Sequence, residues 1–238
     1  MSCAVSNEIT IRNDGSGFSN VKIVLDPLSV AYMSDLMESF GGGLDEGTAL
    51  FDIVSIRAAF AARKGVELVG IEPEGADVLR LEIEFDDVGA ILDSETTDNG
   101  HDAEPISFRS AGPSRELKVH FSRENFSGIT GLFVLPDSPI TVLVPYTEND
   151  FLSRDEYLEV TQYAFEDYLE GRSMEDILTS SGISVAVEPP GTITRVLGGS
   201  TELPEPNQTA GQPKATFFIP LLDILTLEED LIFSVSWQ

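Results

Sequence analysis

The sequence predicts an α+β protein with a largely antiparallel, twisted sheet backed by helices and a helical excursion in the second half. Three observations carry this. Alternating apolar segments bounded by turn residues recur at both ends of the chain, helical spacing with cap residues appears between them, and no long apolar span interrupts either pattern.

The first segment, Glu8 to Arg12, alternates into Asn13-Asp14-Gly15-Ser16-Gly17, and Val21 to Leu25 resumes the apolar run. An Asp-Gly turn between two such runs is a hairpin signal. Asp26 and Pro27 then supply a helix cap and first turn. Leu28, Ala31, Leu36 and Phe40 follow at helical spacing up to Gly41-Gly42-Gly43. Leu50 to Lys64 is apolar on almost every face and ends in Arg63, Lys64 and Gly65, cations and a left-handed cap suited to a helix C-terminus. It is expected to be a largely buried helix.

Val66 to Ile71 and Asp77 to Phe85 read as strands across Pro73-Glu74-Gly75, the second alternating Leu79, Leu81, Ile83 and Phe85 against polar neighbours. Asp87 can cap a short helix to Leu92, and Asp93 to Glu104 is a polar loop. Ile106 to Arg109 and Glu116 to Phe121 form a further hairpin. Asn125 to Leu132 is a short helix, and Ile140 to Val144 an extended stretch among prolines.

Ser153 with Glu156 makes a capping box ahead of Tyr157, Val160, Ala164 and Tyr168. Ser173 and Asp176 open a shorter helix that stops near Gly182. Ile183 to Val187, Thr192 to Leu197, Ala215 to Ile219 and Leu231 to Trp237 read as strands, with a loop at 198–213. The expected organisation is an N-terminal helix-backed sheet region at 1–134, a helical excursion at 135–182 and C-terminal strands at 183–238 completing the sheet, together one compact unit.

Composition limits function. Among 238 residues, 41 Asp and Glu against 14 Lys and Arg give a formal net charge of −27. Such a surface repels phosphate backbones and anionic headgroups, which argues against nucleic-acid partners and against direct electrostatic docking on a membrane. The acids are dispersed along the chain, a pattern that suits a hydrated, salt-adapted surface.

Candidate chemistry is sparse. The loop carrying Asp93, Glu95, Asp98, Asp102 and Glu104 offers oxygen ligands to a hard cation, but Ile106 would fall where the helix-loop-helix calcium template needs its bidentate glutamate. The two histidines, His101 and His120, are too few for a His-dominated zinc site, and no Gly-x-Ser-x-Gly elbow nominates a nucleophile. Neither Gly41-Gly42-Gly43 nor Gly15-Ser16-Gly17 opens a helix with a phosphate-loop lysine. No cofactor is implied. Tyr157, Tyr163, Phe165 and Tyr168 could line a cavity, although aromatic residues at this spacing usually pack a core.

The single cysteine, Cys3, lies between Ser2 and Ala4, a setting that suits the lipidated cysteine of a bacterial lipoprotein. The opening Glu8-Ile9-Thr10-Ile11-Arg12-Asn13-Asp14-Gly15-Ser16-Gly17 with Val21 to Leu25 is similar to the mature start of LppM-like bacterial lipoproteins of unknown function. So are Phe85-Asp86-Asp87-Val88, Pro190-Gly191-Thr192-Ile193 and the closing Phe233-Ser234-Val235-Ser236-Trp237.

The resemblance implies an exported lipoprotein with a helix-backed sheet, in contact with lipid or envelope components, and it carries over no catalytic residue. The leading expectation is thus an extracytoplasmic, non-enzymatic protein, membrane-bound only through a lipid on Cys3, which binds an envelope protein or a lipid-like, apolar ligand. A signal peptide and lipobox upstream in the gene would accompany it. Two alternatives stand beside it: a carboxylate- or metal-assisted hydrolase using His101 or His120, and a salt-adapted soluble binding domain.

Overall fold

The structure is a computed structural model and describes residues 4–39, 50–88, 106–126, 145, 150–202 and 213–238. Eleven strands among them form two sheets. The larger runs β3 (Val66–Glu74), β4 (Val78–Phe85), β2 (Gly17–Val24), β1 (Ala4–Ile11), β7 (Gly182–Glu188), β10 (Lys214–Pro220), β9 (Ser200–Glu202). The smaller runs β5 (Ile106–Ala111), β6 (Ser114–Phe121), β11 (Leu231–Trp237), β8 (Ile193–Leu197). Every pairing is antiparallel except that of β1 with β7, so the fold is α+β with largely antiparallel sheets.

Register decides what each face carries, because side chains alternate along a strand. Ile11 lies opposite Gly17 and Gly17 opposite Phe85, while Ala215 lies opposite Val187 and Phe217 opposite Val185. These positions look inward, where Ile11, Phe85, Val187, Ala215 and Phe217 bury against Leu117, Phe121, Phe233, Val235 and Trp237 of the smaller sheet. The main core therefore lies between two sheets.

A second apolar cluster closes the end of the larger sheet where β1 begins. It joins α1 (Pro27–Ser39) to α3 (Arg154–Ala164), α4 (Met174–Ser180) and α5 (Leu221–Thr226) through Leu28, Tyr157, Phe165, Leu169, Ile177, Leu222 and Leu225. Asp26 anchors it. Its carboxylate is fully buried, accepts the Leu28 N–H at 2.9 Å, and takes both Nη atoms of Arg172 at 3.1 and 3.0 Å. One side chain thus starts α1 and ties it to the turn after α3.

The capping box at α3 is present as the sequence predicts. Ser153 Oγ and N–H both donate to Glu156 Oε2, at 2.6 and 3.0 Å. These bonds hold the Glu156 carboxyl below its ordinary value of 4.5, so they stabilise the fold above that value and are lost as pH falls through the lowered one. Ser153→Ala is expected to lower the melting temperature by about 2–4 °C at neutral pH. In thermal melts across pH, that deficit should shrink as Glu156 protonates.

The structure corrects four expectations. The inward face of the larger sheet is covered mainly by the second sheet and only at one end by helices. The helix at Leu50–Lys64 is α2 (Ile53–Ala61), capped by Asp52 accepting from the Ser55 N–H, and it has no buried residue, with Val54 79% exposed. Apolar residues on every face give a helix no stripe to direct inward, and α2 lies along edge strand β3 with Phe60 turned to the core. The loop expected at 198–213 contains β9, and an unforeseen helix, α5, fills the segment between β10 and β11.

Candidate functional site

The outward face of the larger sheet carries the even-numbered residues of β1, β2, β4, β7, β9 and β10, while a bulge in β3 shifts its register. On the four strands β1, β7, β10 and β9 these form two cross-strand rows. Ser6 lies beside Ser184 and Ser184 beside Phe218; Glu8 lies beside Ala186, Ala186 beside Thr216, and Thr216 beside Ser200. Together with Glu202 they line an open groove of about 560 Å³.

Local structure sets its walls. Gly199 lies so close to β10 that a Cβ there would run into the Thr216 carbonyl and the Phe217 ring, so glycine brings the turn between β8 and β9 against the sheet. Ser200 Oγ and Thr216 Oγ1 are 2.8 Å apart and hold β9 at the rim. Gly182 leaves the space over which the Phe218 ring lies; a Cβ there would sit 2.9 Å from Phe218 Cε2. Phe218 itself is 48% exposed, an aromatic ring kept at the surface beside the hydroxyls of Ser6 and Ser184.

The charges at this rim partly cancel. Lys214 Nζ stands 3.7 Å from Glu8 Oε2 and 4.0 Å from Glu188 Oε2. What the groove presents is therefore a set of hydroxyls that both donate and accept, carboxylates that accept, and one apolar ring. A smaller hollow of about 240 Å³ lies between α2 and β3, lined by residues that include Arg57, Phe60 and Arg63.

Of the two histidines nominated by the sequence, His120 is described and does not line the groove. Cys3, His101 and the acidic set Asp93, Glu95, Asp98, Asp102 and Glu104 lie outside the described residues. His120 stands on the outward face of β6, where Nε2 and Asp230 Oδ2 are 2.9 Å apart, and its carbonyl accepts from Asn125 Nδ2 at 2.8 Å. Asp230 is the one carboxylate bonded to it among the described residues. Among the described residues no three His, Cys, Asp or Glu side chains gather as a metal site would require.

Of the aromatic stripe that starts in α3, Tyr157, Phe165 and Tyr168 are packing and Tyr163 is not. Tyr157 and Phe165 are buried in the helical cluster, Tyr32 meets Phe165 at 4.7 Å and Tyr168 at 5.7 Å, and Tyr163 is 82% exposed. Burial pushes the Tyr157 phenol up, and the hydrogen bond from Tyr168 to Asp35 does the same for Tyr168. No helix among the described residues is long and apolar enough to cross a membrane.

No protein-family model matches the chain, and no curated protein matches it. Among solved structures it is similar to the NMR structure of the folded domain of Mycobacterium tuberculosis LppM, with 11% identity, a TM-score of 0.41, and coverage of 99% of this chain and 89% of that one. A likeness at this level assigns neither ligand nor activity.

Proposed function

We propose that the protein is an exported, lipid-anchored envelope protein of non-enzymatic type, with Cys3 as the lipidated residue and the groove of the larger sheet as the surface that engages an extracytoplasmic partner. The observation that carries this reading is the position of β1. It begins at Ala4, directly after Cys3, and runs through the middle of the larger sheet between β2 and β7. An acyl group on Cys3 would hold the Ala4 end of the sheet at the bilayer. The groove, which opens beside Ser6 and Glu8 of the same strand, would then face the aqueous side at a fixed short height.

The acidic body agrees with such an arrangement. A chain of net charge −27 stays hydrated and clear of anionic headgroups, so attachment falls to the lipid. The terminal motifs that resemble LppM-like lipoproteins support the same reading from the sequence.

Intact mass spectrometry of the protein expressed from its native gene, recovered from membrane and soluble fractions, tests the anchor. A membrane-bound species that starts at Cys3 and carries a diacylglycerol is expected, and Cys3→Ser should move the protein entirely to the soluble fraction. An unmodified, soluble wild-type chain would overturn the proposal.

A further inference from the structure

We infer that the groove on the outward face of the larger sheet binds a neutral glycan, a polyhydroxylated chain laid across β1, β7 and β10 with one sugar ring stacked on Phe218. The inference rests on the groove being the binding surface of the preceding proposal and names the class of ligand it takes.

Three observations converge on that class. Phe218 offers a half-exposed aromatic face, on which the C–H-rich face of a pyranose ring can lie, and Gly182 beneath it leaves the ring seated over the strand. Next to it Ser6 and Ser184 present hydroxyls able to donate and to accept, and the mutually bonded hydroxyls of Thr216 and Ser200 keep lone pairs for a further donor, which is the versatility that sugar hydroxyls require. Glu8 and Glu202 stand at the two sides as acceptors, and a carboxylate with two oxygens suits a vicinal diol. The groove is shallow and open, so a chain can continue past it.

The same residues disfavour the alternatives. An anionic ligand would meet Glu8, Glu188 and Glu202 on a molecule already at −27. An acyl chain would cover the hydroxyls of Ser6 and Ser184 without offering them a hydrogen bond. A cationic ligand would have to compete with Lys214, which already stands within 4.0 Å of both Glu8 and Glu188.

The test uses the full chain carrying Cys3→Ser, titrated with neutral oligosaccharides, namely gluco-, manno- and N-acetylglucosamine tetramers, by calorimetry and by amide chemical-shift mapping. At least one tetramer is expected to bind with Kd on the order of millimolar or tighter and to shift the amides of Ser184, Thr216 and Phe218. Phe218→Ala should weaken that binding at least about tenfold, the equivalent of one lost stacking contact. Phe18→Ala removes another exposed aromatic on the same face, on β2 outside the groove, and should leave affinity unchanged. Failure of all three tetramers to bind overturns the inference, as does binding that Phe218→Ala does not weaken. Because the anchor is read separately by mass, a diacylated Cys3 with no glycan binding rejects the ligand class and leaves the anchor standing, whereas glycan binding with an unmodified Cys3 does the reverse.

Discussion

Arg172→Ala is expected to lower the unfolding free energy by about 3–5 kcal/mol, the range for removing one partner of a buried ion pair. Asp26 has no solvent exposure and its two oxygens receive both terminal nitrogens of Arg172, while Arg172 keeps about a third of its side chain in water. Loss of the guanidinium therefore leaves a buried carboxylate to backbone donors such as the Leu28 N–H. The Asp26 bond also raises the Arg172 pKa above its already high ordinary value, so the cation is present throughout the accessible pH range.

Urea unfolding in fixed salt measures the effect, and Asp26→Asn separates its parts. Asparagine retains a capping oxygen for Leu28 but cannot hold the guanidinium through two carboxylate oxygens, so it should fall between wild type and Arg172→Ala. Equal stability of Arg172→Ala and wild type would show that the guanidinium adds nothing net to holding the buried carboxylate.

What is legible in the sequence has the same local character. Asp26-Pro27 and Ser153 with Glu156 were legible because a cap is a contact between near neighbours, and each opens a helix where its residue types predict. The hairpins β1–β2, β3–β4 and β5–β6 were legible for the same reason, each with a turn of known chemistry between alternating runs. What the sequence does not reveal is pairing between distant segments. Nothing local states that β7 lies parallel to β1, or that β11 leaves the larger sheet to pair with β6 and β8. With those pairings hidden, the closing strands read as completing one sheet.

The groove was missed for that reason too. Ser6 and Glu8, Ser184 and Ala186, and Thr216 and Phe218 are alternate residues on three strands from opposite ends of the chain. Alternation along a strand puts each pair on one face, but only the register of β1 on β7 and β7 on β10 shows that they share the same one. The misjudged helix α2 has the converse origin: its apolar content was plain, but content without a stripe does not fix an orientation.

Trp237 gives the second large effect. It is almost fully buried within the main core, its ring stacks on Phe108 at 5.9 Å, and the residue after it closes β11 onto the chain near β8 through paired Thr192 and Gln238 backbone bonds. Trp237→Ala removes the largest fully buried side chain at a site where two sheets cannot both collapse inward, and a loss of about 3–5 kcal/mol is expected. Trp237→Phe should cost much less than its lost volume suggests. The indole N–H is buried with no acceptor among the described residues, and removing a buried donor of that kind recovers about 1–3 kcal/mol. Chemical unfolding followed by circular dichroism orders the three proteins, since Trp237 is the only tryptophan and its fluorescence disappears with it. Phenylalanine close to wild type with alanine far below places the energy of this site in packing; phenylalanine as damaging as alanine would show that the indole N–H holds a hydrogen bond in solution.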